Sequence, residues 1–275
     1  MVVRRRTAAL GWGGLLAMAL VLAVSGCSGT GAAAPDARGA GDPLAAVRQA
    51  ADLLVDSGSS RARTAMRMAS GGTEVTIHGE GAFDYGRGLG ELSVTLPPDP
   101  GGDRGTEPVT EVFAPGELFM KNRGAGVPPD KWVRIEVAGV PDGNLVTGGA
   151  TDPMTAFALL RGARSADDLG ETSLGGERVR HYRGVTDIAV AAEAATSATA
   201  REQLTAAVGG FTRTEVPFDA YLDEAGEPRR VRHRFSLAQG LRAVEVTSTV
   251  TLFGFGVPVD VSLPAAGEVY WGAVA

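Results

Sequence analysis

The sequence predicts an α+β fold, a strongly curved antiparallel β half-barrel with a few helices covering its concave side. Three observations lead there. Apolar and polar residues alternate in stretch after stretch, which is the period of half-buried strands. The links between these stretches are short and carry glycine, as hairpins require. Helical spacing appears in only about three segments, too few to cover around ten strands unless one sheet bends around them.

Asp42-Pro43 supplies an N-cap and a proline at the first helical position, and Leu44, Val47, Ala51, Leu54 and Val55 line one helical face that ends at Ser57-Gly58. The period then drops to two. Ala62, Thr64, Met66 and Met68 alternate with Arg61, Arg63, Ala65 and Arg67. Val75, Ile77, Gly79, Gly81 and Phe83 form the next inward row, and Leu92, Val94 and Leu96 the third. Gly79 and Gly81 suit a strand that bends. Further strands are predicted over 110–114, 117–121 and 132–137. Asp152-Pro153 opens a short, almost wholly apolar helix through Met154, Phe157 and Leu160. A strand follows over 174–186, and the alanine-rich 187–208 is read as one helix of several turns. Strands over 214–222 and 229–237 flank the hairpin turn Asp223-Glu224-Ala225-Gly226. Two more, over 243–252 and 257–263, finish the sheet.

Ahead of this pattern, Arg4-Arg5-Arg6 precedes an uncharged run that ends in Leu22-Ala23-Val24-Ser25-Gly26-Cys27, and Cys27 is the only cysteine. A basic start, an apolar run and small residues at the cut describe an export signal over residues 1–26. Small residues before a cysteine resemble the lipobox of bacterial lipoproteins. That resemblance implies cleavage after Gly26 and a diacylglyceryl group on the Cys27 sulfur, with acyl chains such as palmitate in the membrane. Residues 27–41 contain no large apolar side chain and are read as a flexible tether, spanning on the order of 20 Å. Residues 42–275 are then a single half-barrel domain.

The chain carries a net charge of −6, and loss of residues 1–26 removes three arginines, leaving 23 basic against 32 acidic residues. Such a surface argues against nucleic acid as a partner, because that binding rests on neutralised phosphates. With Cys27 lipidated, no thiol remains for a disulfide, a metal site or nucleophilic catalysis. His78, His181 and His233 lie in three separate strands without metal-ligand spacing, and no Gly-x-Ser-x-Gly elbow occurs. Catalytic residues, metal ligands and cofactors are therefore not expected.

Taken in order, the motifs resemble the LppX/LprG-type lipoproteins of mycobacteria, relatives in fold of the periplasmic lipoprotein carrier LolA. The resemblance runs from Cys27 through Met66-Arg67-Met68, Gly79-Glu80-Gly81, Glu117-Leu118-Phe119-Met120-Lys121, Lys131-Trp132-Val133, Asp152-Pro153 and His181-Tyr182-Arg183-Gly184. It continues through Val216 to Asp223 and closes on Phe255-Gly256-Val257-Pro258-Val259. It implies an apolar cavity for an acylated lipid or glycolipid; the lipobox places the chain at the extracytoplasmic face of the cell membrane, and a monomer is expected.

Candidate cavity residues are the inward-looking Met66, Met68, Val75, Ile77, Phe83, Leu92, Val94, Phe119, Phe157, Leu160 and Phe235, which serve equally as plain core. A half-barrel wholly filled by its helices would instead make an interaction or sensor-accessory module, with another envelope protein as partner. Two arginine stripes, Arg61, Arg63 and Arg67, then Arg230, Arg232 and Arg234, lie on outer strand faces. They suit either anionic headgroups or a solvated face paired with carboxylates.

Overall fold

A computed structural model describes residues 41–97, 107–124, 126–148, 151–239 and 242–270. The export signal, Cys27 and the tether up to residue 40 lie outside the described residues.

The first helix, α1 (Pro43–Asp56), begins where the sequence sets it: the Asp42 carboxylate accepts the Leu44 N–H at 3.0 Å and Pro43 needs no acceptor. It buries Val47, Ala50, Ala51 and Leu54. Six strands follow, β1 (Ser59–Ser70), β2 (Thr73–Asp84), β3 (Leu89–Thr95), β4 (Val109–Ala114), β5 (Glu117–Lys121) and β6 (Trp132–Glu136). Helix α2 (Pro153–Ala158) continues as a 3-10 turn over Leu159–Gly162. Then come β7 (Ala163–Leu174), β8 (Glu177–Asp187), α3 (Ile188–Glu193), α4 (Ala198–Val208), β9 (Glu215–Leu222), β10 (Pro228–Gln239) and β11 (Arg242–Phe253).

All eleven strands form one open antiparallel sheet in the order β6-β5-β4-β3-β2-β1-β11-β10-β9-β8-β7. Two meanders thus meet at a central seam where β1 pairs β11, Arg61 opposite Phe253 and Met68 opposite Val246. Two strands approach closely where a side chain is missing. A Cβ on Gly81 would stand 1.8 Å from the Glu91 carbonyl oxygen, so only glycine lets β2 and β3 approach there. The inward rows and the helices share one apolar core, whose largest fully buried members include Phe83, Phe157, Phe218 and Phe235.

Three elements differ from the sequence expectation. Strand β7 was not predicted, because Ala163–Leu174 is polar and mostly accessible, as befits an edge strand. The helix expected over 187–208 is two helices, since Ser197 caps α4 by accepting the Ala200 N–H at 3.1 Å and so starts a new helix. Residues 257–263 form no strand. Instead Val259 and Val261, with Val269, cover Leu89, Val112 and Phe119 in a second apolar cluster. Tyr270 N–H donates to the Trp132 carbonyl at 2.8 Å, so this segment also shields the start of edge strand β6.

Candidate functional site

Helices α1, α2 and α4 do not close completely over the hairpin turns beneath them. Between them lies a cavity of about 400 Å³. Ala51, Leu54 and Val55 come from α1, Met154, Thr155 and Ala158 from α2, and Thr199, Ala200, Gln203 and Leu204 from α4. Tyr85 to Gly88, in the β2–β3 turn, and Phe113 to Glu117, around the β4–β5 turn, supply the opposite wall. Val55, 47% exposed although a large aliphatic residue, belongs to the lining.

Polar side chains share the wall with apolar ones, and several of them are already committed. Tyr85 hydroxyl and Ser60 Oγ lie 2.6 Å apart, and burial pushes the phenol well above its ordinary range. Asp152 is the N-cap of α2 and accepts the Thr155 N–H at 2.9 Å; burial raises its pKa against the pull of that bond. Gln203 Nε2 donates to the Gly143 carbonyl at 2.9 Å. Asn144 Oδ1 is buried and meets no donor among the described residues. Arg161 Nη2 contacts Asp52 Oδ1 at 2.5 Å, and both Arg161 and Thr196 are shared with a shallower groove along α1. A concave site with apolar walls and oriented polar groups among them is the common form of a small-molecule site.

None of the eleven residues singled out from the sequence lines this cavity. Met66, Ile77, Phe83, Leu92, Val94, Phe157, Leu160 and Phe235 are buried in the main core, while Met68 and Val75 pack at its margin. Phe119 is on the opposite face, because it stands directly across from Val112 and both point under the C-terminal segment. The physical reason is general. Mid-strand inward positions meet the helices and are filled, whereas the space remains where helix flanks cross hairpin turns. Tyr85, Phe113 and Met154 were missed for this reason. An aromatic residue immediately before a Gly-Arg-Gly turn was the one available signal.

The histidines do not converge. His78 is exposed on β2, His181 contacts Asp219, and His233 is buried with Nε2 unpartnered among the described residues. No group of three or more potential metal ligands occurs among the described residues.

No protein-family model and no curated protein matches the chain. Among solved structures it is similar to lipoprotein LppX of Mycobacterium tuberculosis, at 13% identity and a TM-score of 0.45 over 80% of this chain and 97% of that one. LprF of Mycobacterium bovis gives 13% identity and 0.39, over 82% and 100%. A LolA superfamily protein of Nitrosomonas europaea gives 10% and 0.37, over 78% and 96%. At such identities no residue role passes from these proteins to this one.

Proposed function

We propose that this protein is a membrane-anchored, non-catalytic lipoprotein that holds the acyl portion of a lipid in the cavity between α1, α2 and α4, at the outer face of the cell membrane. The cavity itself is the observation that carries the reading: about 400 Å³ walled by Leu54, Val55, Phe113, Met154, Ala158 and Leu204. At roughly 30 Å³ per small group, the liquid volume of a water molecule, this space admits on the order of a dozen methylenes. That is one acyl chain, fewer than a multiply acylated glycolipid carries. Each buried methylene contributes about 0.8 kcal/mol, so a chain of this length contributes about 10 kcal/mol, from which the cost of association is subtracted. Cys27 would hold the domain at the membrane through the tether of residues 27–41.

A second reading is an envelope protein-interaction module. It is favoured by the filled centre of the half-barrel, where Phe83, Phe157, Phe218 and Phe235 are fully buried. Native mass spectrometry of the whole chain, purified in an uncharged detergent and followed by solvent extraction, separates the two. A discrete bound mass that extracts as an acylated lipid is the expected result. A clean unliganded mass, with no uptake of added fatty acid, would leave the interaction module.

A further inference from the structure

The outer face of β8, β9 and β10 carries an arrangement of charge that the cavity does not use. Asp219, at the middle of β9, stands in register between Arg183 on β8 and Arg232 on β10. Its side chain is 0% exposed. Arg183 Nε donates to Oδ1 at 3.0 Å, and His181 Nε2 lies 2.8 Å from the same oxygen. Arg232 and Arg234 each donate an Nη2 proton to Oδ2, at 2.8 and 2.7 Å. Burial opposes ionisation of this carboxyl, yet the bonds from Arg232, His181 and Arg183 outweigh it and hold its pKa below the usual range.

Three guanidinium groups on one carboxylate leave two positive charges that Asp219 does not balance. The other arginine stripe is built differently: Arg63 pairs with Glu80 and Arg67 with Glu74, one to one. Among the described residues, Asp219 is the only carboxylate that several arginines share. In a chain of net charge −6, a local excess of this kind runs against the overall balance. The three arginine side chains remain 37–56% exposed, so the cluster is open to solvent. Arg232 Nε is buried and meets no acceptor among the described residues. Beside the cluster, Thr249 and Thr247 on β11 stand opposite Arg232 and Arg234. The neighbouring carboxylates are Asp167, exposed across from Arg183, and Glu245, which accepts from Ser236 at 2.7 Å.

We propose that Arg183, Arg232 and Arg234, held in place by Asp219 and flanked by the threonines of β11, form a binding site for a phosphate group, carried by an anionic lipid headgroup or free in solution. Guanidinium forks match phosphate oxygens in geometry as well as in charge. Asp219 fixes the three side chains beforehand, which removes much of the rotamer entropy that binding would otherwise cost. A phosphate offsets positive charge that Asp219 alone leaves unbalanced. The site lies on the opposite face of the sheet from the helices, so it is separate from the acyl cavity and does not depend on it.

Isothermal titration calorimetry of the whole chain in dodecyl maltoside, with sodium phosphate at constant ionic strength, tests this. The expected result is saturable binding that Arg183→Gln weakens about five- to tenfold, corresponding to roughly 1 kcal/mol, and that Arg63→Gln leaves unchanged. Arg183 is chosen because it is the most exposed of the three and its loss leaves Asp219 with three partners. Arg183→Lys, which keeps the charge without the fork, serves if the glutamine variant melts early. Mixed micelles containing phosphatidylglycerol, but not phosphatidylcholine, compete with phosphate if a lipid headgroup is the source; no competition from either assigns the site to free phosphate. Absence of saturable phosphate binding, or equal weakening by Arg183→Gln and Arg63→Gln, overturns the proposal.

Discussion

Glu111 on β4 stands directly opposite Met120 on β5, a carboxylate and a thioether facing the same apolar interior. The side chain of Glu111 is 0% exposed and neither of its oxygens meets a donor among the described residues. Burial raises its pKa to about 8, against a weak opposing pull from Arg123. Because the folded value lies above the unfolded one, its contribution to stability is complete below about pH 4.5 and is lost as pH rises toward 8. By pH 7 the loss is on the order of 3 kcal/mol. We expect Glu111→Leu to be more stable than the parent at pH 8 by more than at pH 4.5, in urea unfolding followed by circular dichroism. A pH-independent difference would contradict this assignment.

His233 works with the opposite sign. It is buried beside Phe218 and Phe235, at ring-centroid separations of 6.5 and 5.8 Å. Burial lowers its pKa to about 3, so the unfolded chain binds the proton more readily and stability falls as pH drops from 6.5. The loss between pH 7 and pH 5 is about 2 kcal/mol. His233→Phe should therefore gain about 2 kcal/mol relative to wild type on going from pH 7 to pH 5, which denaturation curves of both proteins at the two pH values would reveal. Between about pH 4.5 and 6.5 the slopes from Glu111 and His233 cancel, so wild type should show a plateau there that either single variant tilts.

The cavity can be blocked without disturbing the core. Ala200 lies on α4, is partly accessible and lines the chamber. An indole at this position would occupy much of the space. We expect Ala200→Trp to weaken uptake of a fluorescent polyene fatty acid by at least about tenfold, with little change in melting temperature. Ala200→Ser should bind as the parent does. Val94→Trp is the wrong tool, because Val94 is fully buried and its replacement would unfold the sheet instead of filling a pocket.

Gly90 gives a separate check on the close approach of β2 and β3. It pairs with Phe83, whose ring would come within 2.0 Å of any Cβ placed there. Gly90→Ala should cost about 2 kcal/mol or more. The same change at Gly139, where nothing lies within 4 Å, should cost little. Equal melting temperatures for the two variants would mean that the ring yields easily.

Elements with a strong period or a capped end were legible. Alternation marked β1, β2, β3 and β10, and the Asp-Pro pairs at 42 and 152 marked α1 and α2. Ala163–Leu174 was not legible, since the side of this edge strand that is partly covered carries Ala166, Asp168 and Gly170 and shows no apolar alternation. Local pattern also cannot distinguish a residue that fills the interior from one that borders a gap. Val94 and Phe113 look alike in sequence, yet only Phe113 touches the cavity, because the gap is set by where three helices stop short of two turns. The arginine rows were visible, but their inequality was not. Asp219 gathers its partners from strands that are adjacent only after β8, β9 and β10 pair.

The seam between β1 and β11 has a consequence for how the chain is assembled. Two hairpin ladders can form locally, one from each half of the sequence, but β1 gains its second neighbour only when residues 242–253 arrive. That joint is among the longest-range in the sheet, and joints of this kind are slow to close. Until then, β1 and the growing second ladder each present an unpaired edge with free N–H and C=O groups. A chain cut short before Arg242 therefore does not lose a peripheral strand. It splits down the middle, exposing two long edges at once, and invites pairing with other incomplete chains.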